Sequence, residues 1–126
     1  MNKPISSGLK YTFLVHFIVG ILFGVIYLLV PSFWLNMAGI PAVDDLPYRL
    51  IGAAILGFSA SSWLSYKAAV VAKVKIVVLA EIVWTVLATL VILYALIFQG
   101  YAAIGWMNAV IMAAFAIAWI VFNPKE

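Results

Sequence analysis

Cysteine is absent from the 126 residues, which excludes a disulfide framework, thiol redox chemistry and thiolate metal sites. Charge is almost as scarce: 9% of the side chains are charged, against about a quarter in an ordinary soluble domain. There is one histidine, His16, and there are four acidic residues, one of them the terminal Glu126. A metal centre with several protein ligands is not expected from that set. Haem held by His16 alone is a poor fit, and no cofactor is expected. No phosphate-binding glycine loop or dinucleotide fingerprint occurs. A Ser-His-acid triad is short of its acid, because Asp44 and Asp45 fall at the opposite end from His16, so an orienting carboxylate would have to be Glu81. These shortages point away from an enzyme.

Apolar side chains are what the chain has in quantity: 68% of residues, with a mean hydropathy of +1.24. They fall in four blocks separated by short polar breaks. The longest, residues 74–98, is interrupted by one acidic residue, Glu81, and at about 1.5 Å rise per residue it can cross a hydrocarbon core of roughly 30 Å with tilt to spare. Residues 11–30 form a second such block, too long for a signal-peptide core and followed by no small-residue cleavage site. Two further blocks cover 48–67 and 102–122. Between the first two, PSFWLNMAGIP places Phe33, Trp34 and Met37 among polar neighbours, which predicts a brief interfacial helix over 31–39. The expected fold is therefore all-α: one integral membrane domain over residues 1–126, a four-helix transmembrane bundle of up-down topology with a short interfacial helix between the first and second spans.

Basic residues set the expected orientation. Lys3, Lys10, Lys67, Lys73, Lys75 and Lys125 all fall at one side and only Arg49 at the other, which predicts a multi-pass protein of the plasma (inner) membrane with both termini cytoplasmic. The seven Lys and Arg residues form no stripe or aromatic-interleaved patch, so nucleic acid is not an expected partner. Pro4 and Gly8 discourage helix in the first ten residues. Gly20 and Gly24 form a GxxxG pair; Ala53, Gly57, Ser61 and Ser65 repeat at four-residue spacing in the second span, as do Gly105, Ala109 and Ala113 in the fourth. Each reads as a seam for close helix packing. Tyr11, Trp63, Tyr66, Tyr94, Tyr101 and Trp106 read as interfacial belt residues.

Counting inward from the helix ends brings the buried polar groups to one level. His16 and Glu81 each lie roughly 8 to 10 Å inside the cytoplasmic ends of their helices, and Ser61 and Ser62 reach the same depth. Thr12 and Thr85 lie one turn away, and Trp84 is placed to wall the group. A carboxyl inside a span costs about 2.5 to 3.5 kcal/mol if charged and unpaired, so Glu81 is expected to face protein or water. His16, Ser61, Ser62, Glu81, Trp84 and Thr85 are the candidate polar cluster, read either as a knot that fixes helix register or as a proton-responsive or ligand site. At the other end Arg49 sits in the first turn of a helix, against the positive end of its dipole, and calls for Asp44 or Asp45 as a clamp.

The stretch GIPAVDDLPYRLIGAAILGFSASSWLSYKA resembles a group of small four-helix membrane proteins of unassigned function, loosely DoxX-like. The likeness rests on Gly39, Pro41, Asp44, Asp45, Arg49, Gly52 and Gly57: a Gly-x-Pro close, an acidic loop, then Arg followed by Gly and a small-residue helix. It implies a compact four-helix membrane bundle and supplies no activity. Small multidrug transporters share the size and helix number but carry their essential acid in the first helix, where this chain has only His16. Two functions are expected from all this. The first is a non-catalytic helical module, either an accessory subunit or a binder of lipid or another hydrophobic ligand. The second is a small transporter or proton-coupled channel using the Glu81 and His16 cluster. The bilayer is the expected partner, with a homodimer or a companion membrane subunit as further partners.

Overall fold

In the computed structural model, which describes residues 3–41 and 43–125, the chain forms five helices and, among the described residues, no strand beyond one isolated bridge. They are α1 (Ser7–Leu29), α2 (Pro31–Met37), α3 (Leu46–Ala68), α4 (Val71–Phe98) and α5 (Gly105–Val121). Two of them, α1 and α4, are long and apolar enough to cross a membrane. By the same measure α5, at 17 residues, is apolar but short, and α3, with its serines, Arg49 and Lys67, is the least apolar of the long helices.

Helix boundaries differ from the sequence expectation by three residues or more at three starts, and α3 begins two residues early, at Leu46. α1 begins at Ser7 rather than near residue 11, because Ser6 caps it by accepting a hydrogen bond from the Leu9 amide. Of the expected irregular segment 1–10, residues 1 and 2 lie outside the described part. Residues 3–5 are held beside the α3–α4 turn: the Ile5 amide donates to the Ala69 carbonyl and the Val71 amide to the Lys3 carbonyl. That turn is only Ala69 and Val70, with Ala69 in the left-handed region, so α4 starts three residues earlier than position 74. α5 starts three residues later than position 102.

The short helix α2 starts on Pro31, whose missing N–H costs nothing at that position. It stops in a paired reversal: Gly39 (φ 72°) donates to the Asn36 carbonyl and Ile40 to the Leu35 carbonyl, which satisfies carbonyls the helix end leaves free. Leu35 is fully buried, and Trp34 packs edge-on against Phe23 of α1.

α1 packs chiefly on α3 and α4 on α5, each pair antiparallel. In the first pair backbones approach closely. A Cβ on Gly52 would lie 2.6 Å from the Leu28 nitrogen and 2.9 Å from the Gly24 carbonyl oxygen. The α3 seam is not the predicted one. Gly57 has open space around it and Ala53 is exposed, whereas Gly52, Ser59, Ser62 and Ser65 are buried. On α5, Gly105, Ala109 and Ala116 are buried and Ala113 half-buried.

The two pairs meet tightly at the end that carries the chain termini, where Leu9, Phe13, Val74, Val78 and Trp119 form the apolar core. Elsewhere the usual distribution is reversed. Glu81, Thr85, Ser59 and Ser62 are fully buried, while Ile18, Leu22, Leu64, Ile76, Leu90, Val91 and Ile117 are exposed.

Candidate functional site

Three side chains of the candidate cluster come together, one from each of α1, α3 and α4. His16 Nδ1 and Ser62 Oγ are hydrogen-bonded at 2.8 Å, with the donor set by the imidazole tautomer. The opposite ring nitrogen, Nε2, lies 3.6 Å from Glu81 Oε2, close enough for ion pairing but too long for a hydrogen bond. Neither Glu81 oxygen has a hydrogen-bond partner. Glu81 is fully buried, and the imidazole is wedged edge-on between Phe115, at 4.8 Å between ring centroids, and Trp119, at 5.5 Å. The indole N–H of Trp119 is buried there without a partner as well.

The other expected members stand apart for a common reason. A hydroxyl on a helix can bond the carbonyl one turn back and so needs no tertiary partner. Thr12 donates to the Gly8 carbonyl, Ser61 to Phe58 and Thr85 to Glu81. Trp84 stacks on Phe58 at 5.5 Å.

Chemically, the His16–Glu81 pair can share one proton as neutral acid and imidazole or as carboxylate and imidazolium, with net charge zero either way. Gain or loss of a proton charges the site. Ser62, His16 and Glu81 also have the outline of a nucleophile, base and orienting acid. Ser62 is fully buried and the surrounding helical amides are committed to their own ladders, so the backbone around it presents no paired N–H donors of the oxyanion-hole kind.

Beyond His16 the bundle is hollow. A cavity of about 480 Å³ runs between the two helix pairs, bounded by His16, Trp84 and Phe115 at one end. Apolar residues including Ile55, Ala88 and Ile92 line its length, and Tyr27, Tyr48, Tyr101 and Asn108 lie toward the other end. Tyr27 and Tyr48 stack at 6.3 Å. Sequence reasoning passed over Tyr27, Tyr48, Asn108, Phe115 and Trp119, and read Tyr101 as a belt residue. The lone amide of Asn108 in an otherwise apolar helix was a usable signal.

At the tyrosine end of the bundle Arg49 joins two helices. Its Nε and Nη2 donate to Asp45 Oδ2 at 3.1 and 3.0 Å, and Nη1 donates to the Leu28 carbonyl at 2.6 Å, one of the carbonyls left free where α1 ends. Asp44 takes no part in the ion pair; it accepts from the Leu46 amide at the start of α3. Among the described residues no group of three or more His, Asp or Glu side chains gathers into a metal site.

Comparison with protein-family models, curated proteins and solved structures gives no match.

Proposed function

We propose that this chain is a non-catalytic membrane module: all four long helices cross the bilayer, and the hollow half of the bundle binds a hydrophobic ligand. Two observations support the membrane placement. Large apolar side chains cover the exterior while serines, threonines and a carboxyl are packed inside, which suits hydrocarbon as solvent and would leave a soluble protein covered in sticky surface. The lysines gather at the end of the bundle that holds the termini, which supports a cytoplasmic location for both in a plasma (inner) membrane.

The ligand reading rests on the cavity. Its 480 Å³ falls within the range of small-molecule sites, and apolar cavities far smaller than this take up hydrocarbons. All four long helices of a single copy contribute to its walls, which stay partly open to the exterior at Leu87 and Val91. The test is to extract the chain from its membrane and identify co-purifying lipids by mass spectrometry, alongside Ala88→Phe, which places a ring in the cavity. The expected result is a bound species in about equimolar amount, lost in the variant while its helical content is kept. Equal retention by the variant refutes the assignment.

One observation favours a second reading. The His16 ring forms part of the cavity wall and carries Glu81 behind it, so a transported species could exchange with a proton on that pair. Glu81→Gln decides between the two. A ligand-binding module retains its lipid in this variant, whereas proton-coupled transport in proteoliposomes would be abolished.

A further inference from the structure

The cavity's wall chemistry narrows what it would hold. No Lys, Arg, Asp or Glu is among its lining residues. Arg49, the nearest cation in sequence to the tyrosines, is already engaged by Asp45 and the Leu28 carbonyl. A charged head would therefore lose its hydration with no counter-charge in return, a cost that neutral polar heads largely escape. Polar groups are also unevenly placed. Tyr27, Tyr48, Tyr101 and Asn108 bring three hydroxyls and an amide, of which the Tyr27 hydroxyl is already hydrogen-bonded to Trp34 and Asn108, leaving Tyr48, Tyr101 and the remaining capacity of the Asn108 amide for a ligand. At the far end His16 has both nitrogens turned to Ser62 and Glu81, which leaves carbon-bound edges and the rings of Trp84 and Phe115, with the Trp84 indole N–H as the one polar group among them. From His16 to Tyr27 along α1 is about 16 Å at helical rise, the reach of one extended medium-length chain.

We propose that the cavity takes an uncharged single-chain amphiphile, with its hydroxyl or carbonyl head among Tyr27, Tyr48, Tyr101 and Asn108 and the tip of its tail against His16, Trp84 and Phe115. This rests on the ligand-binding reading above and adds head chemistry and orientation to it.

Photoreactive probes test it on the full-length protein in liposomes. Three probes share a dodecyl chain with a diazirine at its tip and differ in head: hydroxyl, carboxylate or trimethylammonium. A fourth carries the hydroxyl head with the diazirine beside it. Peptide mass spectrometry then locates the labels. The tip-labelled alcohol is expected to mark residues around His16, Ala88 and Phe115 at least tenfold more than either charged probe, and the head-labelled alcohol to mark the Tyr27 and Tyr101 region. Tyr48→Phe combined with Asn108→Leu should lower alcohol labelling by about fivefold, the factor a neutral hydrogen bond confers.

Preferential labelling by the ammonium probe would overturn the proposal in favour of recognition by Glu81, and preference for the carboxylate would overturn it as well. Tip labels at the tyrosine end would refute the orientation. If every probe marks only outward residues such as Leu64, Ile76 and Leu90, the ligand-binding reading itself fails.

Discussion

Alanine at Gly52 and alanine at Gly57 make the same chemical change, on one helix and five positions apart, and should have opposite effects. Removing glycine from a helix interior gains about 1 kcal/mol in backbone propensity at either site. At Gly57 the new methyl has nothing within 4 Å, so that gain is the whole effect and the variant should be more stable by about 0.5 to 1 kcal/mol. At Gly52 the methyl would stand 2.6 Å from the Leu28 nitrogen and 2.9 Å from the Gly24 carbonyl oxygen. Both are backbone atoms of the facing helix, so no rotamer change relieves the contact and α1 and α3 would have to separate. Overpacking of this kind costs about 1 to 3 kcal/mol, and backbone against backbone belongs at the upper end. After the propensity gain, Gly52→Ala should be less stable by about 1 to 2 kcal/mol. Unfolding by sodium dodecyl sulfate titration in mixed micelles, followed by tryptophan fluorescence, measures both. The reasoning fails if Gly52→Ala is as stable as the parent, or if Gly57→Ala loses as much as Gly52→Ala.

The same titration separates the two neighbouring serines. Ser62→Ala leaves a buried His16 nitrogen without its partner and should cost about 1 to 3 kcal/mol, while Ser61→Ala removes a bond internal to α3 and should stay within about 0.5 kcal/mol. A third expectation concerns alkali. Burial, then the proximity of Tyr48 and Tyr27, raises the Tyr101 hydroxyl above its ordinary value of 10.0. An acid whose folded pKa is raised contributes stability that is complete below its unfolded pKa and lost as pH climbs through the folded one. Melting temperature should therefore start to fall above about pH 10, and Tyr101→Phe should flatten that fall; an unchanged slope counts against it.

Element identity was legible because long apolar runs admit few alternatives, and depth was legible because helical rise is fixed. Counting residues from each end placed His16, Ser62 and Glu81 at one level, and in the structure they touch. The α3 seam was misread for a geometric reason. Four residues turn a helix by about 400°, so a strict four-residue row drifts by about 40° per step. Ala53 and Gly57 begin that row facing away from α1, and only Ser65 arrives at the buried side. The contacting face instead follows Gly52, Ser59 and Ser62, whose spacings of seven and three hold to one side. Helix starts were misplaced where a short contact outweighed propensity. Gly8 was read as a breaker, but it lies under the Phe122 ring, with no room for a Cβ, in a helix already capped by Ser6. The cavity had no sequence signature, since it depends on how the α1–α3 pair stands against the α4–α5 pair.

That arrangement gives the polar trio a structural meaning of its own. On the terminal side of His16 the two pairs close on Leu9, Phe13, Val74, Val78 and Trp119; on the other they stand apart around the cavity. Glycine at 24 and 52 draws α1 against α3, but no such approach ties α1 to α4 along the hollow half. What sets their separation is then the core below the trio together with the contacts of α1 with α5 and of α3 with α4. His16 stands between core and cavity, with Trp119 on one side and the hollow on the other. A ligand bound there as proposed would press on the ring that faces Glu81, and charging Glu81 would pull on a ring that forms the cavity floor, so the proposed binding and a proton on the pair would be coupled through the imidazole.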